Sequence, residues 1–186
     1  MTTTQTPTQT RRRPDSVATV ATIASAASAY ATIENAGIGP LRQIVLTITN
    51  IPLTTADNGA SGTNGYVQLL DFPAGLVNIL GCVTDIDFTV SNSDANWLGS
   101  IGTVQAAADA TLSSTEANIV PSTAADATSG TGTFNAVNTT AAILLDGTST
   151  AVDVYLNAAS STNPSGAPTV TASGTITLTY IMCGDK

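Results

Sequence analysis

The sequence predicts an all-β protein: a β-sandwich of the jelly-roll or Greek-key type, with an extended N-terminal arm and at most short helices. Three observations predict it. Apolar and polar residues alternate with period two at 44–49, 86–90 and 175–180, which sends them to opposite faces of a strand. Only 10% of the residues are charged, against about a quarter in an ordinary globular chain. Thr, Ser, Asn and Gly take the place of the missing charge. Thr is β-branched and suits a pleated surface, whereas helix surfaces usually carry Glu, Lys and Arg. Finally, turns rich in Gly and Pro separate the alternating runs, as in sandwiches. Disorder of the whole chain does not follow from the low charge, because 42% of the residues are apolar.

Residues 1–16, "MTTTQTPTQTRRRPDS", form a polar arm with nothing to bury, a composition that stays disordered unless something holds it. Fully extended, 15 such residues reach about 50 Å. Residues 17–41 form a linking segment packed on the body or on a partner. Val17, Val20, Ile23 and Ala27 fit a helical stripe, but "VATVAT" also suits a strand, and the extended reading is preferred. "NAGIGP" then breaks the chain. The body spans 42–186. It opens with "RQIVLTITNI", which sets Ile44, Leu46 and Ile48 against Val45, Thr47 and Thr49. After the turn "TTADNGASGTNG" come "YVQLLDF", a Pro-Ala-Gly break, "LVNILGCV" and "TDIDFTV", the last with Ile86, Phe88 and Val90 inward.

"SNSDANW" is a loop. "IGTVQAAADATLSSTEANIVPST" holds the best helix candidate, an Ala-rich turn or two. Ser114-Thr115-Glu116 caps a second short one, and Pro121 ends it. A Gly/Ser/Thr loop leads to an edge strand. "AAILLDGTSTAVDVYLNAA" reads as strand, Asp-Gly turn, strand, with Val152, Val154 and Leu156 on one face. "PTVTASGTITLTYIM" closes the body, with Ile176, Leu178 and Tyr180 against Thr175, Thr177 and Thr179. The total is seven or eight short strands.

The chemistry that composition excludes is wide. The chain has no His, which removes the usual general base, the Ser-His-Asp triad and most zinc or copper sites. Asp85 and Asp87 share a strand face, but at this spacing they read as the solvent side opposite Ile86 and Phe88. Asn92, Asp94 and Asn96 alternate like calcium ligands without the later Gly and Glu of such a loop, so an Asx-rich turn is the simpler reading. "GASGTNG" lacks the Lys and the following helix of a phosphate cradle. Trp97 has no aromatic companion in its own segment to build a sugar platform. We expect no enzyme, no cofactor and no metal site.

Cys82 and Cys183 each sit among apolar residues ("ILGCV", "YIMCG") and are expected to be buried free thiols, which suits a reducing cytoplasm. "RRRPDSVATVATIASAASAYA" imitates a secretory signal, but Thr and Ser interrupt its core and Asp15 stands at its entrance, so no signal peptide is expected. No run approaches the ~18 apolar residues of a membrane helix.

Charge placement carries what functional information remains. The formal net charge is −8, and Arg11, Arg12 and Arg13 supply +3 of it, leaving −11 for the rest. Beyond the arm the only basic side chains are Arg42 and Lys186. Such a body repels nucleic-acid phosphates, so no nucleic-acid partner is expected. Three consecutive guanidinium groups suit carboxylates on a partner protein, which Arg grips at two points. Arg11, Arg12 and Arg13 are therefore the candidate contact residues. The bland alternative is a solvated charge run.

The blocks "GTVQAAADATLSSTEANIVPST" and "LLDGTSTAVDVYLNAA…TVTASGTITLTYI" resemble virion structural proteins of tailed bacteriophages, over roughly residues 36–186. The resemblance implies a head decoration, or cement, protein: a β-sandwich on the outer surface of the capsid, assembled in the host cytoplasm. Its partners would be the major capsid protein and further copies of itself, as a dimer or trimer. The alternative is a phage tail or receptor-binding component whose sandwich recognises a glycan. A secreted adhesion domain is a more distant third.

Overall fold

The computed structural model describes residues 21–38, 40–59, 62–91, 96–107, 110–125, 130–137, 142–161 and 168–183. The arm, and with it Arg11, Arg12 and Arg13, lies outside the described residues, as do Asp94 and Asn92 of the Asx-rich turn.

Among the described residues, eleven strands follow in chain order: β1 (Thr22–Ile23), β2 (Ala31–Ile38), β3 (Leu41–Asp57), β4 (Thr63–Asp71), β5 (Leu76–Val90), β6 (Trp97–Gly102), β7 (Val120–Ala124), β8 (Gly130–Val137), β9 (Ile143–Asp146), β10 (Asp153–Ser160) and β11 (Val170–Met182). Every pairing is antiparallel, and the order is β7-β6-β10-β4-β3-β11-β5-β8. Strand β1 adds to β4, β2 to β3, and β9 to β5. Several strands are longer than the short runs expected. "LVNILGCV" and "TDIDFTV" fuse into the 15-residue β5, and β3 runs for 17 residues.

Strand β3 makes the sandwich. Its first part, through Leu53, pairs with β11, and its last part, Thr54–Asp57, pairs with β4. One strand thus belongs to both layers, and the sheet folds over on itself. The two end strands, β7 and β8, approach each other and nearly close the structure. A bulge loosens β3 near the corner: the register to β11 shifts between Ala172 and Gly174. There Asn50 has φ 50°, which Asn tolerates better than most residues. Its backbone N–H donates to Ser173 Oγ at 2.8 Å. Gly174, at φ 139°, is required beside it, since a Cβ would fall 2.0 Å from the Asp85 carbonyl oxygen.

The alternation read from the sequence points as expected. Ile44, Leu46 and Ile48, Ile86, Phe88 and Val90, and Ile176, Leu178 and Tyr180 are all buried in one core. They face Leu69 and Leu70 of β4, Val154 and Leu156 of β10, and Trp97 and Ile101 of β6. Edge-on aromatic packing ties the layers, with Phe72 and Tyr180 at 5.0 Å between centroids. Space is tight. At Gly99 a Cβ would lie 2.7 Å from the Phe134 ring and 2.9 Å from Phe88.

One expectation needs correction. Cys183 is exposed, because it follows the last residue of β11 and extends beyond the covered core; only Cys82 is buried. Both are free. The expected strand, Asp-Gly turn, strand is present at β9 and β10, but it is not a hairpin. Strand β9 pairs with β5 while β10 pairs with β4 and β6, so the turn carries the chain from one layer to the other.

No α-helix occurs among the described residues. The described residues between β6 and β7 form an irregular flap over the outer face of β6, β10 and β4, with one 3-10 turn at Ser114–Glu116.

Candidate interaction surface

Where the described chain begins, at residue 21, it is pinned to the body. Ala21, Ala24 and Ala27 are buried, Thr22–Ile23 pair with Asp71–Leu70, and the Ala24 N–H donates to the Leu69 carbonyl at 3.0 Å. Small side chains let this segment lie close against β4, which the sequence reading left between helix and strand.

The outer face of the β2-β3-β11-β5-β9 layer is the broadest candidate surface. Register lines up one row across all five strands: Ile38, Leu41, Ile181, Asn78 and Leu144. Ile38 is 90% exposed, Leu144 63% and Leu41 44%. The next rows bring Ala36, Gln43, Thr179 and Gly81, then Glu34, Val45, Thr177 and Val83. Leu80 and Val83 are exposed as well. Asp85 and Asp87 stand farther up the same face, opposite buried Ile86 and Phe88. They are ordinary outward positions, and Asp87 accepts a hydrogen bond from Thr133 Oγ1 at 2.7 Å. Arg42, the one basic side chain among the described residues, is half-buried beside Tyr180. The face carries no described positive charge.

The flap on the other layer is held by a polar network that sequence reasoning missed. Asn157, fully buried on β10, accepts from the Ala106 N–H at 2.9 Å and donates to the Val104 and Glu116 carbonyls at 3.0 and 2.8 Å. Asn64 donates to the Ala106 carbonyl at 3.1 Å, and Ser100 to that of Glu116 at 2.8 Å. The buried Glu116 carboxylate accepts from the Ala107 and Ser113 N–H groups at 2.6 and 3.0 Å. Its place as the acid of a capping box was visible in the sequence; its second task, closing the flap, was not. All these groups satisfy one another, so the network is structural.

A carboxylate pair also emerges only from register. Asp71 and Asp153 sit directly opposite on β4 and β10. Burial, then the neighbouring Asp153, pushes the Asp71 carboxyl above its usual range. Burial and Asp153 likewise raise Tyr155, whose hydroxyl contacts Asp153 at 3.2 Å. Gln68 donates to Asp71. Asp153 borders a shallow open depression of about 370 Å³ together with Asp146, Leu144, Thr103 and Asn118. Among the described residues no three His, Cys, Asp or Glu side chains come together as a metal site would need. Trp97 lies in the core, 1% exposed, and offers no ring face for stacking on a sugar. Among the described residues no helix is long and apolar enough to cross a membrane.

The fold and these surfaces define the chain as an antiparallel β-sandwich with a partly apolar sheet face that carries few charges. Comparison with models of known protein families, and with curated proteins, finds no match.

Proposed function

We propose that this protein is a structural binding module of a tailed-phage virion, one that decorates the outside of the capsid and cements the lattice of major capsid proteins. The observation that supports the reading best is the separation of charge from body. Three of the five basic side chains lie in an arm, and the described chain that follows it, from residue 21, is clamped to β4. The acidic sandwich supplies a rigid mount, and the arm supplies cationic contacts to carboxylates on a capsid subunit or a neighbouring decoration protein. Pro7 and Pro14 limit the freedom lost when the arm is ordered. Each exposed Arg–carboxylate pair contributes about 0–1 kcal/mol, so attachment relies on repetition across the lattice. The sequence resemblance and the cytoplasm-compatible free thiols point the same way.

The test is a chain lacking residues 1–13. It is expected to fold normally, as judged by circular dichroism. Its particle binding should be weaker by up to about 100-fold, the sum of three such pairs, and less sensitive to salt. Unchanged affinity and unchanged salt dependence would assign the arm no role.

A further inference from the structure

We infer that the outer face of the β2-β3-β11-β5-β9 layer is a self-association surface, on which a second copy of this chain packs about a two-fold axis. The proposal goes beyond the arm and its capsid contacts and does not depend on them.

Three properties of the face select a second copy as its occupant. The first is charge. The protein outside the arm carries −10, so two copies repel wherever their carboxylates meet. The rows from Ile38–Leu144 to Val45–Val83 interpose no charged side chain between β3 and β5, and Glu34 stands only at the β2 edge. This is the part of the face where two acidic bodies can approach.

The second is chemical self-complementarity. The polar groups among the apolar ones are Gln43, Asn78, Thr177 and Thr179, and each has both a donor and an acceptor. Such groups can pair with their own symmetry mates, as an isologous interface requires. An Arg- or Lys-rich partner would find counter-charge only at the margins, at Glu34, Asp85, Asp87 and Asp146, and none between them.

The third is size. Five strands about 4.8 Å apart and three two-residue steps of about 6.7 Å give the apolar half roughly 400 Å² per copy. That is the size of the largest apolar patch on a typical monomer, about 300–600 Å², which is often functional. It is about half the ~800 Å² per partner of a standard stable interface. The dimer should therefore be a weak, micromolar one in solution.

Sedimentation equilibrium of the full chain tests this, with and without the substitutions Ile38→Glu and Leu144→Glu made together. Both side chains are exposed, so the double variant should keep the wild-type melting temperature and circular dichroism. Wild type is expected to move with concentration from 18.6 kDa to twice that mass. The double variant should raise the dimer dissociation constant at least about tenfold, the effect of some 1.4 kcal/mol. Removal of residues 1–13 should leave the dimer intact, which separates this surface from the arm. Added salt should strengthen the association, because it screens like charges. A wild type that stays at the monomer mass, a trimeric mass, a double variant that associates equally well, or association that salt weakens would each overturn the proposal.

Discussion

Replacing Asn157 by Ala should loosen the flap and cost a large share of the stability. The wild-type amide makes three hydrogen bonds at 2.8–3.0 Å to the flap backbone, from a position with no solvent exposure. The Glu116 carbonyl keeps Ser100 as a donor. The Ala106 N–H, on a residue only 4% exposed, is left without its acceptor. A stranded buried donor costs about 1–3 kcal/mol, and each of the other two bonds about 0.5–1.5 kcal/mol. The expected loss is therefore about 2–6 kcal/mol. With a urea slope of about 2 kcal/mol/M for a chain of this size, the midpoint should fall by roughly 1–3 M. Hydrogen exchange should speed up first in the flap, and Asn157→Asp should rescue little. The carboxylate would keep the Ala106 acceptor but turn a negative oxygen towards the Val104 and Glu116 carbonyls. A midpoint shift below about 0.3 M, with unchanged flap exchange, would refute the assignment of the network as the flap's fastening.

Three further outcomes follow from the same structure. Cys183 should react quickly with thiol reagents in the native protein. Cys82, buried and with its pKa pushed up to about 12, should react only on unfolding. No intramolecular disulfide should form, since Cys82 pairs with Leu178 while Cys183 bonds beside Leu76. That offset of six residues is about 20 Å along β5, far outside bridging distance. A native mass two units low under non-reducing conditions would contradict it. Asp71→Asn should stabilise the protein at neutral pH. The folded Asp71 pKa is raised above its ordinary 3.8, so its favourable contribution is complete below that pH and is lost as pH rises through the folded value. The gain from the amide should thus shrink towards acid and vanish below about pH 3.8. Melting curves of the two proteins that stay parallel from pH 3 to 8 would count against the carboxylate pair.

The strands with strict alternation were legible in the sequence because each has one face in the core. Ile44, Ile86 and Ile176 announce their neighbours at two-residue spacing. Strand β3 was harder. Its apolar pattern changes partner sheet after Leu53, and nothing local marks the point where a strand leaves one layer for the other. The flap misled because Ala favours helix, yet the buried amide of Asn157 binds its backbone groups in a non-helical course. Cys183 misled because an apolar flank says nothing about whether the sheet still has a covering layer at that point. The candidate surface was the least legible feature. Ile38, Leu41, Ile181 and Leu144 come from four strands and over a hundred positions, and only register makes them a row. The arm's charge was plain from the sequence alone, since it depends on composition and not on packing.

The most direct test of the structural role is stoichiometry. Quantitative mass spectrometry of purified virions, with the major capsid protein as internal standard, counts the copies of this chain per particle. The account predicts a number of the same order as the major capsid protein, removable from the outer surface without opening the shell. A handful of copies, co-purifying with isolated tails, would contradict it.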